Sequence, residues 1–486
     1  MEQKKKFGMD LTQGSILRQL LTFMLPLLAA NVIQQLYNTV DLIVIGHFCG
    51  STGTVGVSVG GQAAQFLTMV SMGIALGGQV YVSQLTGARQ RDKINDAIGT
   101  LLSFVLIVSA VLMVGGLLFT DQIIALMGTP AAAVSEATDY MRITFLGFPF
   151  IFGYNAVCAV LRGIGDSRRP LIFVTIAAVS NIFMDLLLVA GFGMTSDGTA
   201  IATVLGQALS FLFSIVFLYR RRESFGFDFR ARSFRIRWEH LSILLKLGLP
   251  QVVQSACIYM TFIYVNSLVN AYGLVESATN SVGGKITQLA NTITQSMNQA
   301  CSAMIGQNLA AGRQNRAKKV VLTGLTIALS LAVFNTILAL TIPKLIFSIF
   351  TNDAAVIAFG AAHYMPTAIL IFFLSSLMGP TQSMVTGSGF ASLGLAVGVL
   401  DGVVFRLAFS YLFANVLNMG VDGYFLANAL ARLGPVLICS GYFISGKWRT
   451  RKLLVQRAAG AEEEEELAEL SEQSWFMLWV MVLASW

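Results

Sequence analysis

The sequence predicts an all-α membrane protein, with twelve transmembrane helices in two six-helix lobes related by a pseudo-two-fold axis along the membrane normal. Three observations lead there. The 486 residues are 55% hydrophobic and only 12% charged, about half the charged share of an ordinary soluble domain, and mean hydropathy is +0.70. Residues 97–120, 198–219, 247–275, 286–312 and 320–343 contain no Asp, Glu, Lys or Arg. Each is long enough for a helix to cross a hydrocarbon core, which takes about 20 residues. Landmarks in the first half of the chain also recur in the second at a near-constant offset.

Apolar runs bounded by turn and charge clusters place the spans near residues 16–47, 53–84, 94–120, 134–161, 170–192, 196–220, 243–271, 277–310, 318–343, 354–386, 391–416 and 421–445. Basic clusters follow the even-numbered spans other than the tenth: Arg89, Arg91 and Lys93 after the second, Arg162, Arg168 and Arg169 after the fourth, and Arg220 to Arg237 after the sixth. Arg313, Arg316, Lys318 and Lys319 follow the eighth, and Lys447, Arg449, Arg451 and Lys452 the twelfth. Lysine and arginine bias toward the cytoplasm then puts both termini inside, in a plasma (bacterial inner) membrane. The first apolar run continues as a span, so it is not read as a cleavable leader. The expected divisions are an N-terminal lobe over 1–219, a basic cytoplasmic linker over 220–242, a C-terminal lobe over 243–446, and a cytoplasmic tail over 447–486. The tail holds an acidic run at Glu462–Glu466 and an apolar end too short to span, and is read as dispensable.

The repeat is carried by five landmarks. Leu25-Pro26 returns as Leu249-Pro250, and Leu85 with Arg89-Gln90 as Leu309 with Arg313-Gln314, each 224 residues on. Tyr140-Met141 returns as Tyr364-Met365 and Gly163-x-Gly165 as Gly387-x-Gly389 at the same offset. Asp197-Gly198 returns as Asp422-Gly423, 225 on. Six crossings per copy bring both copies in from one face, with a central cavity between them.

Two acids, Asp41 and Asp185, lie inside spans. A carboxylate at mid-bilayer costs at least about 2.5–3.5 kcal/mol, so such residues face protein or water and commonly bind a proton or cation. Asn181 and Asp185 are four apart on one face of the fifth span, as are Thr199 and Thr203 on the sixth. Asp41 shares the first span with Asn31, Gln34 and Asn38 at helical spacing. Oxygens from three helices can enclose a hard cation or share a proton. The bland alternative is that each acid is a satisfied group fixing helix packing. The repeat equivalents, Val265 and either Phe409 or Ser410, are not acids, so the fold does not require one there. Pro26 and Pro250 interrupt the first and seventh helices, and Pro26 is expected to act as a hinge.

Polar stripes mark the cavity walls. Gln288, Asn291, Gln295, Asn298 and Ser302 step by three and four along the eighth span, and Ser58, Gln62, Gln65, Met69 and Met72 along the second. With Gln34, Asn38, Tyr37, Tyr154 and Tyr259 they are candidates for contacting a small organic substrate, with packing glue and plain core as the bland readings. Asp401, Arg406 and Arg432 fall mid-span in the last two helices, where an ion pair is the expectation; Lys285 has no obvious partner. Five cysteines show no paired spacing and three histidines lie far apart. No nucleophile or zinc set is present, and an enzyme is not expected.

The twelve spans, the turn Leu161-Arg162-Gly163-Ile164-Gly165-Asp166 and the run Gly198-Thr199-Ala200-Ile201-Ala202-Thr203 resemble the multidrug and toxic compound extrusion (MATE) family over about residues 10–450. Asp41, Asn181, Asp185 and Thr203 match the cation site in the N-terminal lobe of its DinF-like branch. The resemblance implies an antiporter of the multidrug/oligosaccharidyl-lipid/polysaccharide (MOP) superfamily, exporting organic cations or amphipaths by alternating access, driven by Na+ or H+ and needing no cofactor. The acids that another branch carries in its seventh and tenth spans have no counterpart in residues 247–275 and 354–400. A lipid-linked precursor flippase is the alternative; it calls for a cavity rich in paired Arg or Lys. Expected partners are small organic substrates and membrane lipids, not nucleic acid, and the expected state is a monomer.

Overall fold

The computed structural model describes residues 8–222 and 226–457. Residues 458–486, including the acidic run of the tail, lie outside the described residues. The chain is helical in the order expected. The N-terminal lobe comprises α1 (Ile16–Phe48), α2 (Gly50–Gly87), α3 (Arg91–Leu126), α4 (Val134–Leu146 with Phe148–Ile164), α5 (Arg168–Gly191) and α6 (Ser196–Arg220). The C-terminal lobe comprises α7 (Trp238–Asn270), α8 (Leu274–Ala310), α9 (Gln314–Thr341), α10 (Ala354–Gly387), α11 (Ala391–Val416) and α12 (Val421–Ser445).

Ten of these helices are apolar and long enough to cross a bilayer, and α4 makes an eleventh as a bent pair. The twelfth, α8, has 37 residues but carries the polar stripe, which lowers its hydropathy. One expectation is corrected. The fourth span was read as one continuous helix; it bends by 48° at Gly147, where Pro149 two residues on has no N–H to continue the ladder. The basic linker, exposed over most of its length, does not hang free of the bundle. Instead its phenylalanines dock on α3: Phe227 is fully buried against Phe229 and Phe234, and Ser103 donates to the Phe234 carbonyl at 2.6 Å.

The pseudo-two-fold relation is visible in single hydrogen bonds. Gln84 of α2 donates Nε2–H to the Gly387 carbonyl at 3.0 Å, and Gln307 of α8 donates to the Gly163 carbonyl at 2.8 Å. Exchanging the lobes maps one bond nearly onto the other. Both lie at the end of the bundle that carries the basic clusters, and the lobes touch most closely there. A Cβ added at Gly87 would collide with the Gln307 carbonyl, and one added at Gly77 would stand 2.6 Å from the Gly248 nitrogen. Only small residues let backbones approach so closely. Gly165, at φ +97° with the Met9 carbonyl 2.5 Å from a would-be Cβ, closes the turn after α4 in a conformation that favours glycine.

The first helix of each repeat crosses between lobes. Leu20, Phe23, Met24 and Leu27 of α1 are buried with Met297, Cys301, Met304, Val320 and Met384 of the C-terminal lobe. Beyond Pro26 the same helix joins the N-terminal lobe, with Ile45 packed against Val57, Tyr140 and Ala200. The α7 helix does the reverse. Ile243, Leu244 and Leu247 complete the N-terminal core, His240 Nδ1 lies 2.7 Å from the Tyr81 hydroxyl, and past Pro250 its Val265 and Val269 enter the C-terminal core.

Candidate functional site

Within the N-terminal lobe, α1, α5 and α6 bring Asp41, Asn181, Asp185 and Thr203 together. The i, i+4 spacing read from the sequence puts Asn181 and Asp185 on one buried face of α5. Asp185 is the last α-helical residue before a π-helical stretch, Leu186–Gly191. Asp41, Asn181 and Asp185 are 5%, 2% and 0% exposed, so none reaches bulk solvent. Asn181 donates Nδ2–H to Thr203 Oγ1 at 3.2 Å, and Thr203 donates its hydroxyl to Asp41 Oδ2 at 3.3 Å. The α1 and α5 helices that carry Asp41 and Asp185 pack against one another.

What remains unpaired defines the chemistry. Asp41 Oδ1, Asn181 Oδ1, both Asp185 carboxylate oxygens, Thr199 Oγ1 and Gln207 Oε1 are all buried without a hydrogen-bond partner. A buried acceptor without a donor costs about 1–3 kcal/mol, and more when charged. An acceptor-rich cluster of this kind fits a proton or a small hard cation. No group of three His, Cys, Asp or Glu that could hold a metal occurs among the described residues.

Tyr37 is buried one turn from Asp41 and accepts Gln207 Nε2–H at 3.1 Å, with Gln34 beside it. Tyr140 is buried nearby. Gln207 and Tyr140 were missed by the sequence reading. The signal for Gln207 was present, since it extends Thr199 and Thr203 by one more i+4 step. Tyr140 entered the sequence reading only as a repeat landmark.

The substrate candidates divide. Gln62 and Gln65 of α2 and Gln288 and Gln295 of α8 are exposed, with Asn38, Met69 and Asn291 half-buried. Because α8 packs on α1 and α2 of the other lobe, its polar face lies along the cleft between lobes. Tyr259 donates its hydroxyl to the Gln62 carbonyl at 3.1 Å across that cleft, and Asn31 donates to Ser296 Oγ at 2.9 Å. Tyr154 sits elsewhere, buried in the N-terminal core. In the C-terminal lobe the expected ion pair is present, Arg406 Nη2 to Asp401 Oδ1 at 3.3 Å.

Comparison with known proteins agrees with this architecture. A family model described as MatE matches residues 26–187 and 250–412, two segments whose starts are 224 residues apart, as in the repeat. Over 439 residues the chain is 27% identical to the probable multidrug resistance protein YoeA of Bacillus subtilis (strain 168), covering 89% of this chain and 94% of that one. It is 22% identical over 402 residues to the multidrug export protein MepA of Staphylococcus haemolyticus (strain JCSC1435), covering 81% and 88%. Among solved structures, a MATE protein in the straight conformation superposes with a TM-score of 0.82 at 22% identity, covering 92% of this chain and 98% of that one. An outward-facing multidrug resistance MATE transporter of the MOP superfamily gives 0.83 at 21% identity with the same coverage. With the family model matching both repeats over most of their length, the chain belongs to the MATE family of multi-pass membrane transporters.

Proposed function

We propose that the protein is an antiporter that exports organic cations or amphipaths by alternating access, driven by inward flow of Na+ or H+. The observation that carries this reading is the set of buried, unpartnered oxygens on Asp41, Asn181, Asp185 and Thr199. Two carboxylates in one low-dielectric pocket do not both stay charged without a proton or a cation between them. Occupied and empty forms of such a site therefore favour different arrangements of α1, α5 and α6, and this is the differential binding that a coupled transporter needs. The multidrug names of the relatives support drug-like substrates. The exposed amides Gln62, Gln65, Gln288 and Gln295 are neutral, unlike the exposed Arg or Lys pairs that a pyrophosphate-lipid flippase calls for, and Arg406 and Arg432 lie buried behind them. Positive-inside bias makes the basic end, where the lobes are clamped, the cytoplasmic one, with both termini in the cytoplasm of the plasma membrane. The transporter is proposed to work as a monomer without a cofactor.

In everted membrane vesicles, an imposed Na+ or proton gradient is expected to drive ethidium uptake. Absence of gradient-dependent movement of ethidium sinks the efflux reading. Protons and Na+ compete for the same oxygens, so radiolabelled Na+ binding that weakens as the pH is lowered identifies a shared site.

Pro26 is proposed as the hinge of α1. It removes one backbone donor at the place where the helix passes from one lobe to the other. Pro26→Ala is expected to slow export several-fold, on the order of 1 kcal/mol in the rate-limiting step, with little change in substrate binding. Export at the wild-type rate with normal ion dependence would remove the hinge.

A further inference from the structure

The C-terminal lobe holds a charged cluster at the repeat equivalent of the ion site. The repeat offset is 224 before α11 and 225 after it. The inserted residue is accommodated as a π-helical stretch, Leu400–Phe405, that α5 lacks; the second π stretch of α11, Leu412–Val416, is the counterpart of Leu186–Gly191. With the offset of 225, Asn181 maps to Arg406, Asp185 to Ser410, Thr203 to Asn428 and Gln207 to Arg432. The hydrogen bond maps too: Arg406 Nη1 donates to Asn428 Oδ1 at 2.5 Å, where Asn181 donates to Thr203.

The sign of the charge is reversed. Arg406 and Arg432 are 4% and 9% exposed, and the one carboxylate of the cluster, Asp401, pairs with Arg406. Arg432 is held by neutral acceptors, the Asn428 carbonyl at 2.8 Å and Asn291 Oδ1 at 3.1 Å. Arg406 Nε and Ser410 Oγ are buried without partners. A buried guanidinium without a counter-charge costs several kcal/mol, so the cluster is one negative charge short. Asn291 sits at the edge of the exposed α8 stripe, between Gln288 and Gln295, and Lys285 is exposed on that helix. Arg432 therefore lies one amide side chain behind the cleft wall.

We propose that Arg432, backed by Arg406, forms an anion-binding subsite for the carboxylate of an amphipathic substrate entering from the cleft. The carboxylate displaces the Asn291 amide and accepts from the Arg432 guanidinium, for which planar carboxylates are the matching partner. A zwitterionic aromatic compound then spans the cleft, with its anionic end on the C-terminal lobe and its cationic end toward the acids of the N-terminal lobe. This names a substrate class for the efflux reading and rests on it.

The test uses dansyl-glycine and dansyl-glycine methyl ester, which differ by one charge, titrated by fluorescence onto the purified full-length protein in detergent. The wild type is expected to bind the acid at least about tenfold more tightly than the ester, the scale of one charge-assisted contact. Arg432→Gln is expected to bring the ratio close to one, Arg432→Lys to retain part of it, and Asp401→Asn to widen it by removing the competing carboxylate. The Lys and Asn variants keep the test decisive if the Gln variant does not fold. A wild-type ratio near one, a ratio unchanged in Arg432→Gln, or a ratio narrowed in Asp401→Asn overturns the subsite. Because binding is read without a gradient, ethidium export in vesicles without a dansyl-glycine preference sinks the subsite alone. The preference without export sinks the antiporter reading alone.

Discussion

Asp185→Asn is expected to reduce gradient-driven ethidium export to background, at least about tenfold, which corresponds to roughly 1.4 kcal/mol or more of lost driving interaction. The same variant is expected to unfold at an equal or higher temperature than the wild type. Both effects come from one fact, the complete burial of a carboxylate with neither oxygen hydrogen-bonded. An amide keeps the shape, removes the charge and adds a donor, which Asn181 Oδ1 or Asp41 Oδ1 can accept. Relieving an uncompensated buried charge is neutral or stabilising. A residue that served packing alone would give the opposite pair of results, with stability lost and export spared. Asp41→Asn is expected to behave alike in export. The measurements are vesicle uptake and thermal unfolding of the purified protein; export persisting when both acids are amides would remove the coupling role.

The second large effect is expected at the basic end. Gly87→Val places a branched side chain where even a Cβ collides with the Gln307 carbonyl. Overpacking of this kind costs about 1–3 kcal/mol when the structure can shift, and here the cheapest shift separates α2 from α8. The Gln84–Gly387 and Gln307–Gly163 bonds are then strained together, because the pseudo-two-fold relation ties them to the same interface. Export is expected to fall at least about tenfold. In a background lacking the five native cysteines, a cysteine placed at Ser302, which is fully buried beside Gln79, is expected to be protected. Adding Gly87→Val should make it reactive toward an impermeant thiol reagent from that face. Continued protection with normal export would show that the close packing there is incidental.

The buried cluster around the two acids was more legible in the sequence than the cleft. Asp41 and Asp185 stood out because a charge inside an apolar run has few explanations, and helical spacing then supplied Asn181 and Thr203. Spacing states which side of a helix a residue occupies, not what that side faces. Tyr154 therefore looked like a cavity residue and is core, and Tyr140 was passed over although it lies beside the acids. Arg406 and Arg432 were read only as candidate partners of Asp401 in an ion pair. Their correspondence with Asn181 and Gln207 depended on locating the one-residue slip, and the extra π stretch in α11 shows where it lies. The bend at Gly147 and the docked linker were hidden for a related reason. Both depend on tertiary contacts, at the Gly147–Pro149 corner and among the linker phenylalanines, that helical periodicity does not report.

The crossed placement of α1 and α7 changes what counts as half of this molecule. Each six-helix unit lends the opening turns of its first helix to its neighbour and receives the same in return, the arrangement of a dimer with exchanged arms. Cut free at the linker, residues 1–219 would lose Ile243, Leu244 and Leu247 from their interior and leave Leu20 and Phe23 with nothing to cover them. Two tandem copies joined in this way complete one another's interiors, and neither is whole when separated.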